Sequence, residues 1–369
     1  MKEGWEYKRF EDCLIKAAKA KQVQASDYKA DGKYPIISQE DKMVSGYCDD
    51  LSLLYHINNP IVIFGDHTRV LKFVDFNFVV GADGVKILIP KVFLIAKFLF
   101  YYLQWYKVPS LGYSRHYKLL KEINIPIPPL TEQERIVSEL DLLTSIINKQ
   151  KAQLKELDSL AQSIFYDMFG DPIENPKGWE IMKLKKIVSD DCSISYGIVQ
   201  PGDGVENGVP VVRPIDLTKT FVSREGLKQT TKEISDSYKR TILKGDEILM
   251  CVRGTTGLLS LSSSNLKGCN VTRGITPIEC NDKNNRLFVY YQLLSHGIQQ
   301  HIENYTRGIA LKQINMKDVR NIPLIVPPLS LQQSFASKVE TIEAQKALIT
   351  KSMEETQRLF DSRMDYWFA

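Results

Sequence analysis

Ile125-Pro126-Ile127-Pro128-Pro129-Leu130-Thr131-Glu132-Gln133-Glu134-Arg135-Ile136 is the stretch whose reading decides the fold. A short β-favouring run ends in two prolines and opens directly into a helical pattern. Pro128 and Pro129 stop a helix from running backward past that point. Thr131 reads as the N-cap, and Glu134 three residues later completes a capping box. From there Ile136, Leu140, Leu143, Ile147, Gln150, Leu154, Leu157, Ala161, Ile164 and Met168 follow at alternating steps of four and three. That spacing lays them along one stripe, the seam of a coiled coil, with Gln150 as its polar intruder. Gly170 and Pro172 terminate the helix.

The same device returns two hundred residues on. Leu324-Ile325-Val326-Pro327-Pro328-Leu329 is a second proline clasp. Gln332 stands three residues after its leucine, as Gln133 stands after Leu130. Ser330 reads as the second N-cap, with Gln333 at the capping-box position. Phe335, Val339, Ile342, Lys346, Ile349, Met353, Thr356 and Phe360 form its stripe, with Lys346 and Thr356 polar. From leucine to aromatic the second copy is four residues shorter (Leu329 to Phe360, against Leu130 to Phe165), about one helical turn, so the phase is kept. Upstream of each clasp lies a matching opening: Gly4-Trp5-Glu6 with Phe10, and Gly178-Trp179-Glu180 with Leu184.

The order is therefore globular, helix, globular, helix. The boundaries fall at 1–124, 125–170, 171–323 and 324–369. Each stripe needs a cover. The competing reading packs each helix on its own domain, but the expected cover is the other stripe. Each helix would span ~50–57 Å at 1.5 Å per residue. A turn of duplex DNA is ~34–36 Å, so paired helices would be a ruler for two major-groove contacts on one face.

Both globular segments read as α+β, mixed short strands and turns with a helix late in each. Tyr34–Ile37 and Val209–Val212 are strand-like. Ile61–Phe64 runs into Gly65-Asp66-His67-Thr68-Arg69, and Glu247–Val252 runs into Arg253-Gly254-Thr255-Thr256-Gly257. The strand-to-turn element is shared while the turn residues differ. Two recognition units for different targets would look so, as would any diverged duplication.

Length supports two domains of ordinary size. The net charge is only +4, but it is unevenly spread. Residues 131–169 carry seven acids and four bases, residues 330–369 six acids and five bases, so the globular remainder carries +8. A basic domain attracts phosphates, although charge kept for solubility is the plain alternative. The six cysteines form no C-x-x-C pair, which argues against a zinc or redox site. No secretory signal is seen, so a cytoplasmic location is expected. Val92–Tyr106 is too short to span a bilayer and reads as a buried helix rich in aromatics.

Catalytic signatures are missing. There is no phosphate-binding G-x-x-x-x-G-K-[ST], and Gly202, Gly204 and Gly208 do not make a dinucleotide-binding spacing. Asn59-Pro60 and Asn175-Pro176 lack the second proline and aromatic of an adenine-methylation motif. Asp282 and Lys283 lie in a polar turn rather than a nuclease cluster. His56, His67, His116, His296 and His301 have no metal-ligand spacing, so no metal is expected.

The I-P-x-P-P-L-x-E-Q-x-x-I pattern at Ile125–Ile136 resembles the conserved region of type I restriction–modification specificity subunits. The second clasp is looser, since Leu331 stands where an acid is expected. The Gly-Trp-Glu openings and the Phe165–Gly170 ending match too, so the resemblance covers essentially the whole chain. It implies two target recognition domains, each reading half of a bipartite, asymmetric site in double-stranded DNA. The two helices would form an antiparallel coiled coil relating the domains by a pseudo-two-fold, their length setting the gap between half-sites. They would also bind two modification (methyltransferase) subunits, joined by restriction (translocase/nuclease) subunits. S-adenosylmethionine, ATP and Mg would sit on those partners, with no cofactor in this chain and no membrane involved. The chain would be non-catalytic, supplying address to an endonuclease complex.

Base edges are read by Arg, Lys, Asn and Gln, while Ser, Thr and Lys commonly hold phosphates. On that basis Lys19, Lys21, Gln22, Gln24, His67, Thr68, Arg69 and Arg115 are the expected DNA contacts of the first domain. Gln200, Arg213, Lys228, Arg253, Thr255, Thr256, Asn270 and Arg273 are those of the second. For any one of them, a solvated or ion-paired surface residue is the ordinary alternative. Helix pairing falls to Ile136, Leu140, Leu143, Ile147, Leu154, Leu157, Ile164, Val339, Ile342, Ile349, Met353 and Phe360. The rival functions are a detached specificity module of a single-chain restriction–methylation enzyme, and a coiled-coil DNA-binding or structural protein without base readout.

Overall fold

The computed structural model describes residues 4–192, 194–308 and 311–369. The opening and the clasp of each copy are strand partners. Glu6–Arg9 pairs antiparallel with Asn124–Ile127, Glu6 opposite Ile127. Ile181–Lys183 pairs with Pro323–Ile325, Ile181 opposite Ile325. Prolines fit here because each ladder has only two strands, leaving an outer edge where a missing N–H costs nothing.

The two domains share a strand topology. In the first, Ile61–Gly65 lies between Leu71–Val74 and Val85–Pro90, antiparallel to both. In the second, Ile248–Cys251 lies likewise between Leu259–Leu261 and Ile275–Ile278. Tyr34–Ile37 runs parallel to Phe78–Gly81, and Val209–Val212 parallel to Asn270–Val271. A buried aromatic helix follows in each, Ala96–Tyr106 and Arg286–Leu294. The strands expected from sequence are present at these places.

Two forty-residue helices complete the fold, a central one at Leu130–Phe169 and a distal one at Leu329–Phe368. Both begin earlier than expected. Thr131 and Ser330 lie inside the first turn and are not N-caps. The prolines themselves start the helices, the Pro129 and Pro328 carbonyls accepting the first N–H bonds. Gln133 and Gln332, both buried, brace these starts. The Gln133 amide donates to Pro128 O (2.9 Å) and Phe93 O (2.8 Å), and its oxygen accepts from Ile95 N (2.8 Å). The Gln332 amide donates to Pro327 O (2.8 Å), and its oxygen accepts from Asn285 N (2.8 Å). Ile95 and Asn285 are the N-cap residues of the two aromatic helices. Each glutamine therefore ties a long helix to the helix of its own domain.

Two compact units result, residues 1–152 with 350–369, and residues 153–349. Within each, the segments of the two long helices run antiparallel. In the first unit, Arg363 Nη2 donates to Glu139 Oε2 (3.1 Å), and eleven residues along the central helix Gln150 Nε2 donates to Ser352 Oγ (3.0 Å), eleven residues back. In the second, Lys346 pairs with Asp158 (2.6 Å), and Phe165 packs edge-on against Phe335. Lys346, the polar intruder of the distal stripe, is thereby satisfied, with Glu343 (2.7 Å) as its second partner. Each core contains the ends of both helices. Ile136, Leu140, Met364, Trp367 and Phe368 join Phe98 and Tyr101 in one, and Phe165, Phe169, Phe335 and Val339 join Phe288 in the other.

Burial along the seam is graded. Ile136, Leu140, Leu143, Ile147, Val339 and Ile342 are buried. Leu154, Leu157, Ile164, Ile349, Met353 and Phe360 are half-buried. Near its end the central helix buries Ala161, Phe165 and Phe169, at spacings of four, rather than Ile164 and Met168. The buried line drifts by one residue because there a whole domain, broader than a partner helix, covers it. Gly170 ends the helix at φ 78°, and the Trp179 indole donates to Phe169 O (3.0 Å), so the second opening caps the first helix.

Candidate nucleic-acid interface

In both domains the central strand leads into a tight turn that is clasped by the segment returning from the aromatic helix. The first-domain turn spans Gly65–Arg69. Its Asp66 carbonyl accepts from His116 N (2.8 Å), and Arg69 Nη1 donates to Val108 O (3.1 Å). Gln39 braces it from below, accepting from His67 N (3.1 Å) through its side chain and from Thr68 Oγ1 (2.5 Å) through its carbonyl. Lys72, buried, fixes the Gln39 loop by donating to Ser38 O (2.9 Å) and Lys42 O (2.5 Å). Burial lowers the pKa of this lysine, with Glu40 and Asp41 opposing.

The second-domain turn, Arg253–Gly257, is held in the same way. Gly254 N donates to Lys312 O (2.8 Å) and Ile314 N to Val252 O (3.0 Å). Thr306 Oγ1 meets Thr256 Oγ1 at 3.0 Å. Beside it lies a cavity of about 690 Å³ lined by Thr255, Thr256, His296, Gln299, Thr306 and Lys312 among others. What each clasp offers to solvent is short, polar and basic: Thr68, Arg69 and Arg115 in one domain, Thr255, Arg307 and Lys312 in the other, all exposed. Such surfaces suit a phosphate backbone flanked by base edges.

The expected contacts divide accordingly. His67, Thr68, Arg69 and Arg115 are brought together on the first turn and its returning loop. Lys19, Lys21, Gln22 and Gln24 are exposed but lie along a different element, the segment entering the edge strand Gln22–Val23. Arg253, Thr255 and Thr256 form the second turn. Arg273 and Gln200 are exposed, with the Arg273 guanidinium 5.8 Å from the Tyr196 ring.

Three assignments are corrected. Asn270 is fully buried and organises the interior, accepting from Thr241 Oγ1 (2.7 Å) and donating to Ser235 Oγ (3.1 Å). It is therefore a structural residue and not a base reader. Arg213 is engaged bidentately by Asp216 (3.1 and 2.9 Å), which raises its pKa and neutralises its charge locally. Lys228 donates to Gly202 O (2.9 Å) and is half-buried, holding a loop rather than reaching outward.

Sequence reading passed over Tyr113, Arg307 and Lys312. Their signal was positional: each follows an aromatic helix and precedes a proline clasp.

A chain built as two α+β domains that share a core strand arrangement, each with a basic turn-and-loop surface and each tied to a long helix, defines a duplicated recognition protein. Residues 2–156 and 176–358 match the family described as type I restriction modification DNA specificity domain, and the chain belongs to that family. It is 24% identical over 262 residues to the Escherichia coli type I restriction enzyme EcoBI specificity subunit, covering 64% of this chain and 55% of that protein. It is 24% identical to the Methanocaldococcus jannaschii MjaVIII specificity subunit, covering 96% of this chain and 90% of that one. The crystal structure of a type I restriction-modification S subunit from M. genitalium has the same fold, with a TM-score of 0.57 at 15% identity over 98% of this chain and 95% of that one. The chain thus spans little more than half the length of some relatives and nearly all of others. Among the described residues no helix is long and apolar enough to cross a membrane.

Proposed function

We propose that this chain is the sequence-specific DNA-binding specificity subunit of a type I restriction–modification complex. The observation that carries the reading is the pair of clasped turns. They stand at equivalent places of one strand arrangement and share a threonine (Thr68, Thr255), while Asp66, His67 and Arg69 of the first turn are replaced by Arg253, Gly254 and Thr256 in the second, as in two readers of two different half-sites. The chain itself is non-catalytic. Methyltransferase subunits bind its long helices and bring S-adenosylmethionine, and restriction subunits bring ATP and Mg. The two helices set the gap between half-sites.

The test is single-molecule methylation sequencing of the native genome before and after deletion of the gene for this chain. Loss of one bipartite adenine-methylation motif supports the reading and identifies the site. If the motif is unchanged while the chain co-purifies with an active methyltransferase subunit, the reading is wrong.

A further inference from the structure

Tyr113 stands at the tip of the loop Val108–His116 and is fully exposed, at 102% of its reference surface. A large ring wholly in solvent is ordinary on a floppy loop, but this loop is braced. Leu111 N donates to His116 Nε2 (3.0 Å), Gly112 N to Ser110 Oγ (3.3 Å) and Ser114 N to Gly112 O (2.9 Å). His116, itself buried, is anchored through Nδ1 on the Asp66 carbonyl (2.9 Å). Its Nδ1 therefore donates and its Nε2 accepts, so one neutral ring joins turn to loop. The Tyr113 ring stacks on His67 with centroids 5.9 Å apart and planes 22° apart. The contact aligns the two rings without covering either face of the tyrosine, which stays open to solvent. Arg115, two residues on along the loop, and Arg69, two residues beyond His67 on the turn, are both exposed.

We propose that Tyr113 is a stacking wedge: when the first domain binds its half-site, the ring lies against the face of a nucleobase and opens one base step. Arg69 and Arg115 would hold the phosphates on either side, and the parallel His67 ring would orient the tyrosine for insertion. Aromatic faces stack on bases without regard to sequence, whereas opening a step favours flexible ones, so the wedge adds shape selectivity at a position that no hydrogen bond reads. The second domain has a His–Tyr ring contact as well, His301 with Tyr305 at 4.7 Å but with planes tilted by 35°, and its tyrosine closes a helix and is 43% exposed. The wedge is accordingly assigned to the first half-site alone.

The proposal rests on the DNA-reading function, and its test separates the two. The chain is assembled with its methyltransferase subunits and titrated into duplexes carrying the methylated site, with 2-aminopurine placed at successive positions of each half-site. The wild-type complex should brighten the probe severalfold at one position beside the half-site of residues 4–124. Tyr113→Phe keeps that signal, because the ring rather than the hydroxyl stacks. Tyr113→Ala removes it and weakens binding roughly ten- to a hundredfold, the loss expected of one base–aromatic stack. Any brightening at the methylated adenines persists in both variants. If Tyr113→Ala leaves every probe unchanged, or weakens binding without a probe that depends on the ring, insertion is refuted. Equal binding of cognate and scrambled duplexes by the wild-type complex instead refutes sequence reading itself. Since the Tyr113 side chain is fully exposed, the substitution leaves folding intact.

Discussion

Replacing Gln133 with Met tests how the long helices are mounted. Methionine keeps nearly the same volume and removes all three hydrogen bonds of a fully buried side chain. The Ile95 N–H and the buried Pro128 carbonyl then lose their partner, while the half-buried Phe93 carbonyl can turn to water. An orphaned buried group costs ~1–3 kcal/mol, so the substitution should destabilise the first unit by about 2–4 kcal/mol. For a unit of this size that corresponds to a fall in Tm of roughly 5–15 °C. Gln332→Met should follow in the second unit at the lower end of that range, because Gln332 makes two such bonds rather than three. Denaturant unfolding gives the free energy, and hydrogen exchange of a peptide covering residues 93–96 reports the Ile95 amide directly. Stability within ~0.5 kcal/mol of wild type, the scale of an ordinary surface substitution, together with unchanged Ile95 protection, would refute the idea that the glutamine is a latch.

Other outcomes follow from the same contacts. Gly170→Ala should cost about 2 kcal/mol in thermal unfolding, from the left-handed φ of 78° and a Cβ placed 2.5 Å from Pro176 Cγ. Leu140→Glu, at a fully buried site, should cost about 4 kcal/mol or more, whereas Leu157→Glu, half-buried, should cost about 1–2 kcal/mol. The double change should abolish bipartite methylation, and its survival would sink the helix-ruler model. The two helix contacts should respond to opposite ends of the pH scale. The Arg363 hydrogen bond holds Glu139 below 4.5, so its stabilisation is present above that pH and fades as pH falls through the lowered value. Burial opposes the charge of Lys346, but Asp158 and Glu343 outweigh it and raise its pKa above 10.5. That stabilisation is full below 10.5 and is lost as pH rises through the raised value. Exchange of backbone amides near residues 139 and 346, followed against pH, should separate the two.

The parts legible in the sequence were those with local causes. Proline pairs, a terminal glycine and a four-three apolar rhythm act within a few residues, so the helix end at Phe169 and the strand Val209–Val212 could be read directly. Capping failed at Thr131 and Ser330 because Gln133 and Gln332, bonded to residues some forty positions upstream, decide where the chain turns helical. Site residues failed for the same reason. Nothing near Asn270 announces that Thr241 and Ser235 will enclose it, and nothing near His116 announces Asp66, fifty residues away. Arg213 was the more legible case, since its partner Asp216 is only three residues on.

The make-up of the first unit also bears on how the chain is born. Its core includes Met364, Trp367 and Phe368, and Trp105 donates to Asp365 across 260 positions of sequence. The 197 residues from Gln153 to Ile349, which form the other unit, are synthesised in between. At the translation rate of living cells this takes ~10–40 s, far longer than local folding. Throughout that interval Phe98, Tyr101 and Tyr102 lie without the cover that Phe360 and Phe368 give them, so the nascent chain carries an exposed aromatic face. A chaperone acting at that stage would find its target on the aromatic helix Ala96–Tyr106 and would be displaced once residues 350–369 emerge.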